Sequence, residues 1–197
     1  MKKVALLVLA AGASSRMQTH IKQLLPWKNS TFLENALATA KDTEADQVFV
    51  VLGANYELIV SKANFDGVSL IRNENWQLGI GSSIAKGVAH LNNLTEKYDA
   101  ILVSLADQPL VDASYYNQMI TAFKNSNEHL VATNYGAKKG VPALFAKEYF
   151  VTLTHLNQDF GAQKLLNDKN ALSINSSINN IDIDTWEDYQ LLLNKID

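Results

Sequence analysis

The sequence predicts an α/β fold, a three-layer α/β/α sandwich around a mostly parallel sheet. Three observations support this. Apolar runs alternate with amphipathic segments along the chain, the first run is apolar at every position, and small or polar residues follow the ends of the runs. Strands that are apolar on both faces are typical of the centre of a parallel sheet. The length of 197 residues favours a single domain over residues 1–197.

The elements follow in order from these patterns. Val4 to Leu9 predicts a central parallel strand that ends in a loop from Ala10. Thr31 and Glu34 have the spacing of a capping box, which starts an amphipathic helix. The same patterns predict strand 47–52, helix 57–63, strand 68–71, helix 80–91, strand 99–105, helix 113–123, strand 129–133 and, after short helices and an Asn/Ser-rich stretch at 175–180, a closing helix at 185–196.

One further strand, Val141 to Phe145, is expected at the edge of the sheet, because Pro142 cannot donate a ladder hydrogen bond. In such sheets, ligands bind at the carboxyl ends of the strands. The end of the first strand and the end of the strand that reaches Asp107 are therefore expected to face one binding crevice.

Composition excludes several classes of protein. The chain has 17 Lys+Arg against 20 Asp+Glu, a net charge of -3, so there is no overall positive field for nucleic acid. The apolar run from Val4 to Ala13 is too short to cross a membrane. Without cysteine there are no disulfides or thiolate sites, and the cytoplasm is the expected location. The charge is uneven, however, since five cations precede the first acidic residue, Glu34: Lys2, Lys3, Arg16, Lys22 and Lys28.

The loop after the first strand combines small residues with cations. Gly12, Ser14 and the following serine could present backbone N–H groups to phosphate oxygens, while Arg16 and Lys22 neutralise their charge. His20 lies between these cations and could also touch phosphate. Neither GxxxxGK[ST] nor GxGxxG occurs, which argues against P-loop and Rossmann sites. These residues alone leave open an ordinary glycine loop with solvated side chains.

Carboxylates and a second glycine-rich segment complete the candidate site. Asp107 follows a strand end, where it could hold Mg²⁺ against phosphate oxygens or could cap the next turn. Asp184 is either a second metal ligand or the N-cap of the last helix. The segment from Gly79 to Ser83 is expected to precede a helix and to offer polar groups to a ribose or base, or to be a turn with an N-cap serine.

Motif blocks along the chain resemble one family. LAAGASSRM at 9–17 and KQLLPW at 22–27 are similar to the signature of the MobA-like nucleotidyltransferase superfamily, closest to its molybdenum cofactor cytidylyltransferases. Further matches follow at 76–87, 105–109, 140–145 and 159–162. The first block and the block at 105–109 are specific together, whereas the later blocks are weak alone. The ordered matches extend from residue 4 to about residue 165, which is most of the chain.

This resemblance implies a nucleotide-diphospho-sugar transferase (GT-A-like) fold, a CTP or GTP substrate and a divalent metal, Mg²⁺ with Mn²⁺ as an alternative. It implies catalytic roles for Arg16, Lys22 and Asp107, and metal binding by Asp107 and Asp184. The Ala-Ala-Gly form at 10–12 is associated with CTP users. The implied nucleotide-binding residues are Leu9, Ala10, Ala11, Gly12, Ser14, Arg16, Lys22, Gly81, Ser82 and Ser83.

The expected reaction is transfer of CMP from CTP to the terminal phosphate of molybdopterin, with pyrophosphate as the leaving group. A molybdenum hydroxylase or its chaperone would then be a partner, with no nucleic-acid or membrane partner. The chain departs from the family pattern at Gln18, Val141 and Gln163, where relatives have Gly, His and Arg. These departures leave two alternatives: a sugar or polyol phosphate acceptor, or a non-catalytic nucleotide-binding module.

Overall fold

A seven-stranded sheet lies at the centre of the structure, a computed structural model that describes residues 2–17, 19–156, 161–168, 171–175 and 182–194. The strand order is β5-β4-β1-β6-β8-β7-β9, and a separate hairpin is formed by β2 and β3. Strands β5, β4, β1 and β6 are parallel, β8 is antiparallel to both of its neighbours, and β9 is parallel to β7. The strands are β1 (Val4–Ala10), β2 (Pro26–Trp27), β3 (Ser30–Thr31), β4 (Gln47–Leu52), β5 (Val68–Arg72), β6 (Ala100–Leu105), β7 (Leu130–Asn134), β8 (Lys139–Ala146) and β9 (Leu172–Asn175).

Helices cover both faces of this sheet. Alternate residues of β1 belong to two different cores, with Leu6 on one face and Leu7 on the other, as the period of two in a strand requires. Helices α1, α2 and α4 pack on the Leu6 face, and α3, α5 and α6 pack on the Leu7 face. The α/β fold with a mostly parallel sheet is therefore confirmed. The helices are α1 (Phe32–Lys41), α2 (Tyr56–Lys62), α3 (Ile80–Asn93), α4 (Ala113–Asn125), α5 (Phe150–Thr154), α6 (Gly161–Asp168) and α7 (Trp186–Leu193).

Local signals place several elements correctly. The capping box of α1 is present, with Thr31 accepting from the Glu34 amide and Glu34 accepting from the Thr31 amide. A third apolar cluster ties the N-terminal loop to the C-terminal segment, since Met17, Trp27 and Ile183 are buried together. This cluster holds residues 182–184 against the ends of the central strands. No helix of the described ranges is long and apolar enough to span a membrane.

The expectation that Val141 to Phe145 forms an edge strand is wrong. Strand β8 lies between β6 and β7. Pro142 is tolerated there because its pairing with β6 stops at Ala143 and the register with β7 shifts at the same place. The proline therefore occupies an irregularity in which no ladder hydrogen bond from its nitrogen is needed.

The structure also decides two questions about helix starts. Helix α3 begins at Ile80, so Gly81 to Ser83 lie in its first turn rather than before it. The N-cap of α7 is Thr185, in a capping box with Asp188, so Asp184 is not the cap. Strand β9 and the β2–β3 hairpin were not predicted, being only four and two residues long per strand. Gln18, residues 159–160 and the stretch 176–180 lie outside the described residues.

Candidate active site

A cavity of about 380 Å³ opens where the parallel strands β1 and β6 end. Its walls are the loop after β1, the start of α3, the residues that follow β6, and the segment before α7. This is the edge of an α/β sheet at which ligands bind. The expected site residues that line it are Leu9, Ala10, Ala11, Gly12, Ser14, Arg16, Lys22, Ser83, Asp107 and Asp184.

The loop after β1 has the chemistry of an anion cradle. The backbone amides from Gly12 to Arg16 donate to no other group that the structure describes. Ser14 has a φ of 57°, in the left-handed region that is uncommon for serine, as occurs where successive amides turn toward one side. The loop also has room, since a Cβ added at Gly12 would meet no atom within 4 Å. A ligand could therefore occupy the space beside Gly12, because no protein atom fills it.

We predict that Gly12→Ala leaves the thermal stability unchanged and weakens nucleotide binding about tenfold, because the added methyl group occupies ligand space. The matched control is Gly53→Ala, whose Cβ would lie 2.8 Å from the Ala11 carbonyl oxygen and 2.5 Å from Trp76 Cβ. This control should instead lower stability by about 1–3 kcal/mol. Thermal unfolding and calorimetric titration with CTP measure both effects. Wild-type affinity in Gly12→Ala would show that nucleotide does not approach this loop.

Two cations and two carboxylates meet on the floor of the cavity. Lys22 Nζ lies 2.9 Å from Asp107 Oδ2 and 3.0 Å from Asp184 Oδ1, and Arg16 lies 3.0 Å from Asp184 Oδ2. Partial burial alone would lower the pKa of Lys22, but the two carboxylates outweigh it and raise that pKa above its usual value. Lys22 is therefore charged at neutral pH. The side chain of Arg16 is about two-thirds exposed, which leaves it accessible to a phosphate.

The carboxylates fit a divalent cation. Asp107 Oδ1 is buried and has no hydrogen-bond partner among the groups the structure describes, so it is an acceptor in need of a ligand. The Lys22 ammonium already stands between Asp107 and Asp184, which marks a position where positive charge is favoured. No group of three or more His, Cys, Asp or Glu side chains within the described ranges is arranged around a metal position. Two carboxylates with phosphate oxygens and water are a normal environment for Mg²⁺.

Three residues expected at the site lie elsewhere. Gly81 and Ser82 do not line the cavity, and the Ser82 hydroxyl donates to the carbonyls of Asn75 and Gly79. His20 stacks on Trp186, with the rings 4.1 Å apart, and lines neither cavity. Ser83 does line the cavity, and its hydroxyl accepts from Asn73, as does that of Ser82. The buried side chain of Asn73 therefore fixes the first turn of α3 through the hydroxyls of Ser82 and Ser83.

A second cavity, of about 350 Å³, adjoins the first and shares Ile80 and Leu105 with it. Gln108 donates to Asp182 Oδ1 at 2.9 Å and to the Tyr135 hydroxyl at 3.1 Å. Burial raises the pKa of Asp182, the neighbouring carboxylates add to the rise, and the Gln108 hydrogen bond opposes it.

The second cavity has both apolar walls and polar groups. Its polar lining includes Lys138, Gln163 and Asp182. Val141 and Gln163, two of the three departures from the family pattern, lie in this cavity and not in the first. The two cavities adjoin at Ile80 and Leu105, and Asp107 lines the first of them.

Sequence reasoning missed the buried amides Gln23 and Gln108. Each is only 6% exposed, and each directly follows a charged residue of the site, Lys22 or Asp107. This adjacency was the signal available in the sequence. An amide side chain next to a charged loop residue is expected to be buried only when its hydrogen bonds fix the loop.

Comparison with known proteins gives a consistent result. A protein-family model described as the MobA-like NTP transferase domain matches residues 6–173. The chain is similar to the nicotine blue oxidoreductase of Paenarthrobacter nicotinovorans, 33% identical over 119 residues, or 59% of this chain and 55% of that protein. The chain thus matches about half of the length of this relative. It is also similar to the purine catabolism protein PucB of Bacillus subtilis, 27% identical over 93% of both chains.

Solved structures agree with the fold. The structure of Rv0371c from Mycobacterium tuberculosis H37Rv matches with a TM-score of 0.83 and 27% identity, and 98% of each chain is covered. A complex of Rv0371c with manganese matches with a TM-score of 0.80 and 25% identity over 98% of each chain. A similar protein therefore binds manganese.

Proposed function

The chain belongs to the MobA-like NTP transferase family, and from this premise we propose that it transfers CMP from CTP to the terminal phosphate of molybdopterin. The products are the cytosine dinucleotide form of the cofactor and pyrophosphate. We expect the reaction in the cytoplasm, with a molybdenum hydroxylase or its chaperone receiving the product.

The observation that carries the proposal is the cluster of Arg16, Lys22, Asp107 and Asp184, which lines the first cavity. A second cavity adjoins the first at Ile80 and Leu105. A triphosphate in the first cavity brings its negative charge to the two cations and to the free amides that follow β1. We expect an acceptor in the adjoining cavity to approach the α-phosphorus past Ile80 and Leu105, which both cavities share. In-line displacement requires the attacking and leaving oxygens to lie on opposite sides of the phosphorus.

The reaction requires that the two substrates be aligned and that the charge of their phosphates be neutralised. It does not require a general base. A phosphate monoester has a second pKa of about 6, so the acceptor is already mostly a dianion at neutral pH. Its oxygen forms a bond to the α-phosphorus of CTP while the bond between that phosphorus and the bridging oxygen to the β-phosphate breaks. Arg16 and Lys22 stabilise the charge that gathers on the departing pyrophosphate.

Asp107 and Asp184 are the residues that would hold Mg²⁺, or Mn²⁺ in its place. A bound divalent ion supplies charge neutralisation to the phosphate oxygens. Lys22 must then leave the carboxylates it contacts in the free protein, and it becomes available to the triphosphate. We therefore expect Lys22 to exchange its carboxylate partners for phosphate oxygens when substrate binds.

A sugar or polyol phosphate is the second candidate acceptor. The specific reason is the lining of the second cavity, where Val141 and Gln163 stand in place of a histidine and an arginine. The nucleotide half of the reaction is unchanged in this alternative.

A substrate matrix tests the proposal. The purified protein is incubated with each of CTP, GTP, UTP and ATP, with Mg²⁺ or Mn²⁺, and with molybdopterin or a panel of sugar and polyol phosphates. We expect pyrophosphate release with CTP and molybdopterin above all other pairs. Turnover only with a sugar phosphate would support the second candidate, and tight CTP binding without turnover for any acceptor would make the protein a non-catalytic binding module.

A further inference from the structure

The backbone carbonyls at the end of β1 are all used within the protein. Ala106 donates to the Leu9 carbonyl at 3.1 Å and Ala54 donates to the Ala11 carbonyl at 3.0 Å. The side chain of Gln23 takes the remaining two, donating to the Ala10 carbonyl at 2.8 Å and the Gly12 carbonyl at 2.9 Å. A single buried amide thus holds two of the four carbonyls.

Gln23 is itself fixed in this orientation. Its Oε1 accepts from the Ser14 hydroxyl at 3.1 Å, and that hydroxyl accepts from the Lys22 amide at 2.9 Å. Both Nε2 hydrogens are used on carbonyls, so flipping the amide would put its oxygen against two carbonyl oxygens. The orientation of Gln23 therefore follows from its surroundings.

The result is a strand end with hydrogen-bond donors and few acceptors. The amides from Gly12 to Arg16 have no acceptor among the described groups, while the carbonyls from Leu9 to Gly12 are directed at donors of the protein. The free amides fit a triphosphate, and a base edge with few donors loses little where the carbonyls are already occupied. A base edge that consists of donors leaves its N–H groups without partners, which is costly in a partly closed cavity.

We propose that Gln23 is a positioning residue for base selection, which makes the first cavity prefer cytosine over guanine by withdrawing the carbonyls of Ala10 and Gly12. Cytosine presents two neighbouring acceptors, O2 and N3, beside one amino group. Guanine presents two neighbouring donors, N1–H and its amino group, beside one carbonyl, so guanine needs two acceptors where cytosine needs one. This inference rests on the proposed function, because it assumes that the cavity binds a nucleoside triphosphate.

The test is the ratio of the CTP and GTP dissociation constants, measured by calorimetry with Mg²⁺ and without acceptor, in wild type and in Gln23→Met. Methionine has a similar length and no donor, so the two carbonyls are released and can accept from guanine. We expect the preference for CTP to fall about tenfold, which is within the discrimination that one base-edge pair provides. The matched control is Gln47→Met, a half-buried glutamine at the start of β4, at the opposite end of the sheet, which should keep the wild-type ratio.

A second variant covers the case in which Gln23→Met does not fold. Ser14→Ala leaves Gln23 in place but removes the hydroxyl that donates to its Oε1 and that accepts from the Lys22 amide. It should lower the preference in the same direction by a smaller factor. An unchanged ratio in a folded Gln23→Met, or a wild-type preference for GTP, would overturn the role of Gln23 and leave nucleotidyl transfer standing. Failure of the wild type to bind any nucleotide would instead overturn the proposed function.

Discussion

Replacing Asp107 by asparagine is expected to lower the rate of nucleotidyl transfer about a thousandfold, because the site loses several kcal/mol of metal-dependent charge stabilisation. The substitution keeps the size of the side chain, and Lys22 keeps its contact with Asp184, so the fold should persist. Binding of CTP in the absence of metal should be as tight as in wild type or tighter, since one negative charge beside the phosphates is gone. Pyrophosphate release and metal-free calorimetry measure the two effects.

The matched control for Asp107→Asn is Asp42→Asn, at an exposed position just past α1. It should retain full activity. A rate for Asp107→Asn within tenfold of wild type, at equal metal concentration and with an unchanged melting temperature, would mean that Asp107 does not hold the metal.

Replacing Lys22 by methionine is expected to lower the transfer rate a hundredfold or more, about the cost of removing one preorganised donor from a developing charge. The free protein should also lose about 1–2 kcal/mol of unfolding free energy, because Asp107 and Asp184 lose the cation between them. Binding of Mn²⁺ without nucleotide should become tighter, since no ammonium competes for the two carboxylates. This gain separates a charge effect from simple damage to the fold.

Lys62→Met, at an exposed position at the end of α2, is the control for Lys22→Met. It should change neither the rate nor the affinity for Mn²⁺. If Lys22→Met bound Mn²⁺ more weakly than wild type, the idea that lysine and metal share one position would have to be abandoned.

Local patterns account for much of the fold that the sequence predicts. The all-apolar run of β1 and the Thr31–Glu34 capping box each report on a short stretch of chain, and both are confirmed. The position of β8 depends instead on which strands pair with it. Pro142 led to the wrong prediction of an edge strand, because a register shift beside it means that no ladder hydrogen bond from its nitrogen is needed. A rule about proline in strands cannot reveal such a shift.

The candidate site likewise combines residues that the local sequence indicates with contacts that depend on the fold. Arg16, Lys22 and Asp107 are recognisable as charged residues beyond strand ends, and the structure brings Lys22 and Asp107 within hydrogen-bond distance across 85 residues of sequence. The brace formed by Gln23 depends on which carbonyls its amide reaches, and the second cavity depends on how α6 meets β8. Neither relation is local in sequence, so neither could be predicted.

Transfer of a labelled phosphate distinguishes nucleotidyl transfer from nucleotide binding or hydrolysis. CTP carrying label on its α-phosphate is incubated with Mg²⁺, molybdopterin and the wild-type protein, and in parallel with Asp107→Asn. We expect that the label enters the acceptor in a one-to-one ratio with unlabelled pyrophosphate, and that Asp107→Asn forms about a thousandfold less product. Recovery of the label only as free CMP or intact nucleotide, or equal transfer by both proteins, would contradict it.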